Sequence, residues 1–182
     1  MAGPMPAYSR RRFIGTFVLA VPILAASRRL LAASSSVRSL RFTHTHTAER
    51  LAIEYFEGGT YLPDALATVN YFLRDFRTGD VHEIDPGLLD LLHALAAVTE
   101  TSRPFQVISG YRSPATNEML RHRSEGVAAG SLHMNGQAID IRLADVPLAT
   151  LRQAALAARR GGVGFYRASD FIHLDTGRVR TW

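Results

Sequence analysis

No cysteine occurs among the 182 residues. Disulfides and thiolate ligands are therefore excluded, and any bound metal must be held by nitrogen and oxygen donors. A membrane-spanning run is missing as well: the uncharged apolar stretch from Phe13 to Ala26 has fourteen residues, against the roughly 20 that a spanning helix needs. Excess charge on the folded part is the third absence. The formal net charge is +5, but Arg10, Arg11, Arg12, Arg28 and Arg29 all precede the first acidic residue, Glu49. Without them the balance is about zero, so a nucleic-acid-binding role loses its main support, because phosphate contacts need a basic surface on the domain itself.

What is present begins with a leader. Ser9 to Gly15 reads SRRRFIG and runs directly into the apolar stretch, which contains Pro22. Paired arginines ahead of a short apolar region give the order of a twin-arginine export signal. Small residues from Ala25 to Ser36 offer cleavage points, Ala32-Ala33-Ser34 among them. The expected division is a signal peptide over 1–33 and a single domain over 34–182, within the roughly 100–200 residues that form one core. Such a leader implies the twin-arginine machinery as a partner, a periplasmic destination and no transmembrane span in the mature chain. A basic, disordered amino terminus and an uncleaved membrane anchor are the competing readings of the same stretch.

Within the domain, RSLRFTHTHT and RLAIEYFEG alternate as two strands of a hairpin. His44 and His46 fall on one face of the first; paired histidines at that spacing can bind metal, but exposed, solvated strand residues are the simpler reading. Leu62, Leu66, Val69, Phe72, Leu73 and Phe76 recur at helical spacing after Pro63-Asp64, with Tyr71, Phe72 and Phe76 read as core. Asp85-Pro86 supplies an N-cap and a first-turn proline for a second helix with Leu88, Leu89, Leu92, Leu95 and Ala96 inward. Phe105 to Ile108 reads as a buried strand leading into Ser109-Gly110-Tyr111-Arg112-Ser113, and Ser113-Pro114 opens a helix running towards Arg123. Arg112, where strand becomes helix, either pairs with a surface carboxylate or holds a substrate carboxylate or oxyanion through two parallel hydrogen bonds. Gly126 to Gly130 is small and flexible enough to shape a cleft wall. A last helix spans Pro147 to Arg160 and ends at Gly161-Gly162, followed by strands over Val163 to Tyr166 and Phe171 to Leu174. No internal repeat or low-complexity tract interrupts the domain.

The stretch from Ser131 to Asp140, SLHMNGQAID, carries the chemistry. Asn135-Gly136 is a strong turn dipeptide, and Gln137 to Arg142 alternates as a strand. Folded back as a hairpin, the chain would set His133 diagonal to Asp140, about 7–8 Å apart at the backbone. A zinc ion held at about 2 Å by each side chain bridges that gap, with His173 of DFIHLDTG as third ligand. Two imidazoles and one carboxylate leave a fourth tetrahedral position for water, which is the catalytic arrangement. A base must still take a proton, and Asp170 and Asp175 flank His173. In an ideal strand Asp170 points away from the His173 face and needs a bend near Ser169 to serve, whereas Asp175 lies on the His173 face and could instead orient a ligand.

Ser131, His133, Gly136, Ala138 and Asp140 form SxHxxGxAxD, followed by a late His173 and preceded by SGYRS. In these residues the chain resembles the zinc D-Ala-D-Ala peptidase group, which belongs with the lysostaphin-type peptidases and the hedgehog signalling domain. Within that group it is similar to the twin-arginine-exported murein endopeptidases, from the leader to Trp182, through IDPGLLD, ISGYRS, GVAAGSLHMNGQAID, GGVGFY and FIHLDTG. The resemblance implies an α+β fold with a small antiparallel sheet flanked by helices. It implies zinc (Zn2+) on His133, Asp140 and His173, with Arg112 facing substrate and Tyr111 and Ser131 as further substrate-binding candidates. Asp170, Asp175 and Arg112 are the catalytic candidates; where the wider group has glutamate three residues before the last histidine, this chain has the shorter Asp170. The implied activity is hydrolysis of peptide crosslinks between peptidoglycan stem peptides during wall growth. A D,D-carboxypeptidase or dipeptidase of the same group, and a non-catalytic zinc domain that only binds wall peptides, are the alternatives.

Overall fold

Alternating apolar and polar residues build the amino-terminal hairpin, as expected: β1 (Arg38–His44) pairs antiparallel with β2 (Arg50–Glu57), and β3 (Thr60–Tyr61) adds to its outer edge. The computed structural model describes Met1 and residues 37–123 and 127–182. Apart from Met1, the leader expected over 1–33 lies outside the described residues with its cleavage point, as does Gly126.

Four α-helices follow among the described residues. In α1 (Pro63–Phe72) the buried positions are Ala65, Val69 and Phe72. Tyr71 departs from the expected core: it is 58% exposed, with the Arg74 guanidinium 4.3 Å from its ring centroid, because its position turns it off the apolar stripe. In α2 (Pro86–Val98) the Asp85 carboxylate caps the first turn by accepting from Gly87 N–H at 2.8 Å, and Leu88, Leu89, Leu92 and Leu95 are buried. α3 (Pro114–Arg123) is capped by the Ser113 hydroxyl, which accepts from Thr116 N–H at 3.2 Å. α4 (Leu148–Ala158) stops earlier than expected, at Arg159 in the left-handed region (φ 50°), so the glycine pair is not its cap. Gly161 instead lies against the Asp175 backbone, where a Cβ would stand 1.6 Å from the carbonyl oxygen.

The remaining strands are β4 (Phe105–Ser109), β5 (Ala138–Arg142), β6 (Gly162–Tyr166), β7 (Phe171–Asp175) and β8 (Arg180–Thr181). The fold is α+β, as expected, but its sheet is larger and not purely antiparallel. Eight strands run in the order β3-β2-β1-β4-β5-β7-β6-β8, with β1/β4 and β6/β8 parallel. Both parallel pairs join strands separated by other elements, so no short-range pattern announces them.

Alternation along the central strands divides core from site. Ile139, Ile141, Ile172 and Leu174 are fully buried in the apolar core with the leucines of α2, each contributing about 1.5–3 kcal/mol on burial. Asp140 and His173 occupy the intervening positions and therefore face the other way. A one-residue slip of β5 or β7 would drive the polar pair into the core, so the apolar face enforces the register that brings the pair together.

The hairpin histidines correct one expectation. His44 is 1% exposed rather than solvated, its ring 5.4 Å from that of Phe76 and 6.1 Å from that of Phe72. It closes β1 between β2 and β4, where α1 covers it. His46 lies beyond the strand, exposed, and stacks on Phe76 at 4.3 Å.

Candidate metal centre

Asp140 and His173 are directly opposite across the antiparallel β5/β7 pair. The ladder therefore brings together two residues far apart in sequence, with their side chains on one face. His133 arrives from a different device. Leu132–Asn135 forms one turn of 3-10 helix closed by Gly136 in the left-handed region (φ 66°), and the Gln137 N–H donates back to the Leu132 carbonyl at 3.0 Å. The expected hairpin with His133 opposite Ala138 is therefore absent; Ala138 pairs with Asp175 instead. Gly136 is required twice over, by its φ and by packing, since a Cβ there would stand 1.9 Å from the Glu83 carbonyl oxygen.

Three donor atoms meet at this point. His133 Nε2 is 3.2 Å from Asp140 Oδ1, His173 Nδ1 is 3.0 Å from the same oxygen, and the two nitrogens are 3.1 Å apart. The outer ring nitrogens fix the tautomers. His133 Nδ1 lies 2.7 Å from the Gly110 carbonyl and His173 Nε2 lies 3.1 Å from Asp175 Oδ2; both oxygens can only accept, so both outer nitrogens carry the proton. Two imidazole lone pairs and a carboxylate oxygen then point at one another in a buried site, an arrangement that repels itself unless a cation sits among them. Donors on a tetrahedral zinc with bonds of about 2.0–2.1 Å are about 3.3 Å apart, close to the spacing found. His133, Asp140 and His173 form the one group of three or more potential ligands found among the described residues. The donor set thus fits a divalent metal of the zinc type, with no sulfur available.

Electrostatics at the site follow the same logic. Where protons rather than a metal cation sit among these donors, burial pushes Asp140 up, but the charges and hydrogen bonds of protonated His133 and His173 outweigh it and hold the carboxyl far below the usual range. His173 is lowered by burial and raised more by Asp140 and Asp175, for a net upward shift. Asp175 is 0% exposed; its hydrogen bonds to His173, Gly162 N–H and Gly177 N–H overcome the cost of burial and bring it down to about 2. Arg180 completes its surroundings with Nη2 2.8 Å from Oδ2. Asp175 therefore orients His173 and is itself saturated with donors.

Arg112 reaches the centre too, with Nη2 3.6 Å from Asp140 Oδ2 and Nη1 3.4 Å from the Asn117 amide oxygen. Its Nε is buried without a partner, and burial lowers its pKa against the opposing pull of Asp140. Its backbone N–H donates to the His133 carbonyl at 3.2 Å. Ser131 starts the 3-10 turn that carries His133. Tyr111 stacks on His82 at 4.8 Å, and its N–H is held by the Leu73 carbonyl. Asp170 stands at the end of a 3-10 turn, Arg167–Ser169, in the left-handed region (φ 54°), so the bend at Ser169 exists. Its side chain is 65% exposed and bonded to Arg142 Nη1 at 3.2 Å. Gly110, Asn117, Arg180 and Trp182 have no part in the site as read from sequence; of these, only Arg180 has a signal, a cation demanded by the buried Asp175.

The chain matches known proteins over nearly its whole length. The family model described as peptidoglycan L,D-endopeptidase MepK covers residues 32–182. Peptidoglycan L,D-endopeptidase MepK of Escherichia coli K12 is 42% identical over 176 residues, spanning 96% of this chain and 97% of that protein. The probable peptidoglycan L,D-endopeptidase MepK of Haemophilus influenzae is 40% identical over 170 residues, spanning 93% and 91%. With His133 and Asp140 of SxHxxGxAxD meeting His173 at one point, the chain belongs to the MepK family of the M15 peptidases.

Proposed function

We propose that this protein is a zinc-dependent peptidoglycan endopeptidase that hydrolyses L,D peptide crosslinks between stem peptides, acting in the periplasm after twin-arginine export. The observation that carries the reading is the convergence of His133 Nε2, Asp140 Oδ1 and His173 Nδ1 as lone-pair donors within 3.0–3.2 Å of one another. The chain's relatedness to proteins named as L,D-endopeptidases supports the choice of bond.

His133, Asp140 and His173 would hold the zinc, which when bound supplies a Lewis acid that activates water and polarises a carbonyl. Gly110 and Asp175 fix the two imidazoles so that no reorientation is needed on loading. Arg112 directs guanidinium N–H groups at the site, where they bind the crosslink's carboxylate or the oxygen on which charge develops. Ser131 and Tyr111 flank these residues and contact the peptide. Asp170 is the proton acceptor: of the two candidate carboxylates it is the one open to solvent, tethered by Arg142 rather than enclosed by donors. Asp175 keeps its proton-free state to serve His173. The leader over 1–33 directs export, and the domain over 34–182 carries the activity.

Chromatography of crosslinked muropeptide dimers and of free pentapeptides, each incubated with the purified protein, tests the proposal. Cleavage of L,D-crosslinked dimers is expected, and hydrolysis of pentapeptides alone would replace the reading with a carboxypeptidase.

A further inference from the structure

Trp182, the single tryptophan of the sequence, is exposed and yet held on several sides. Its ring centroid lies 5.2 Å from that of His173. Its indole N–H donates to the Tyr166 hydroxyl at 3.0 Å, and the Arg180 guanidinium sits 4.9 Å from its ring. The backbone is pinned as well, since Trp182 N–H donates to the Val163 carbonyl and its own carbonyl accepts from Phe165 N–H. Gly164, directly opposite His173 on β6, leaves the space that the indole fills: a Cβ there would stand 2.8 Å from it. Despite these restraints the residue is 48% exposed. An aromatic ring fixed on several sides, half open to solvent and in contact with a candidate metal ligand is a preformed binding surface, since its rotamer entropy is already lost before anything binds.

We propose that Trp182 is a substrate-positioning residue, its half-exposed indole forming the surface on which the aliphatic part of a crosslinking side chain packs beside the scissile amide. This rests on the endopeptidase reading and adds to it the chemistry of one subsite. A methylene chain suits the indole face, because the gain is apolar area removed from water with no polar group left unpaired. The charged groups of the same peptide are left to Arg112.

Two measurements separate this role from mere packing. In steady-state cleavage of crosslinked dimers, Trp182→Ala is expected to raise KM about tenfold or more with kcat within about threefold, the pattern of lost binding common to ground and transition states. Trp182→Phe is expected to restore most of the loss and Trp182→Leu little of it, with metal content and melting temperature of all three close to wild type. Gly164→Ala, which displaces the indole without removing it, is expected to raise KM as well. In the second measurement, emission of the lone tryptophan is followed while crosslinked muropeptide is titrated into chelator-treated wild type, and a saturable blue shift is expected. Wild-type cleavage with an unchanged KM in Trp182→Ala would overturn the inference and leave the endopeptidase reading intact. A protein that cleaves no crosslinked dimer yet shows the saturable shift would retain the subsite and lose the enzymatic reading. Emission unmoved at saturating muropeptide would overturn the subsite whatever the activity.

Discussion

Asp175 Oδ2 accepts the Nε2–H of His173 at 3.1 Å from a fully buried position, and so decides which nitrogen of that ring faces Asp140 and His133. The same carboxylate takes the backbone N–H groups of Gly162 and Gly177 and the Arg180 guanidinium. Fixing a ligand's tautomer from behind is the usual task of a carboxylate one hydrogen bond beyond a metal-ligating histidine. Asp175→Asn is expected to weaken metal affinity by about 10–100-fold. Competition with a chromogenic chelator measures this, and affinity within twofold of wild type would show that Asp175 does not set the ring.

Arg112 tests the charge-binding side of the site. Its largely enclosed guanidinium presents a planar fork, which lysine cannot reproduce. Arg112→Lys is expected to lower kcat/KM on crosslinked dimers by roughly 100-fold, in the range of a lost oxyanion donor, with metal content unchanged. A loss below threefold would mean that the fork is not used.

Trp182 makes metal loading visible. Because it is the sole tryptophan and lies 5.2 Å from the His173 ring, a paramagnetic ion in the site is expected to quench most of the intrinsic fluorescence. Titrating Co2+ into chelator-treated protein should give an endpoint at one equivalent, absent in His133→Ala. Full metal content by mass spectrometry with undiminished emission would place the ion elsewhere.

His44 gives the fold a dependence on pH that is independent of the site. Burial, then the neighbouring charge of His46, hold it down to about 4, against about 6.5 in an unfolded chain. The unfolded state therefore binds the proton first. Stability is full above pH 6.5 and falls as the pH drops from there towards 4, by up to about 3 kcal/mol. Urea unfolding of wild type and His44→Leu at pH 7 and pH 4.5 checks this: the variant is expected to lose less between the two. Equal losses would remove His44 as the cause.

The sequence carried much of this plan because its signals were local. Asp85 before Pro86, the leucine stripe of α2 and the alternation around Phe42 each depend on a few neighbouring residues, and each formed as expected. Asn135-Gly136 was legible as a turn but not as the cap of a 3-10 helix, because Glu83, far away in sequence, decides what fits against Gly136. The parallel β1/β4 pair and the burial of His44 depend on which strands become neighbours, information that no window of residues holds. The meeting of His133, Asp140 and His173 could be anticipated from their pattern, whereas the Gly110 carbonyl that fixes the His133 ring leaves no pattern to read. From spacing, Asp175 lies on the His173 face and Asp170 needs a bend near Ser169, which leaves both open as the base. The turn at Arg167–Ser169 and the enclosure of Asp175 separate them.

Everything said of function rests on three side chains acting together through one metal ion. The most direct test is chromatography of an L,D-crosslinked muropeptide dimer incubated with purified protein, with protein stripped by chelator, with stripped protein given back one equivalent of Zn2+, and with Asp140→Asn. Cleavage to monomers is expected in the first and third reactions and in neither of the others, with Asp140→Asn folded but metal-poor. Cleavage that survives both chelation and the loss of Asp140 would contradict the account.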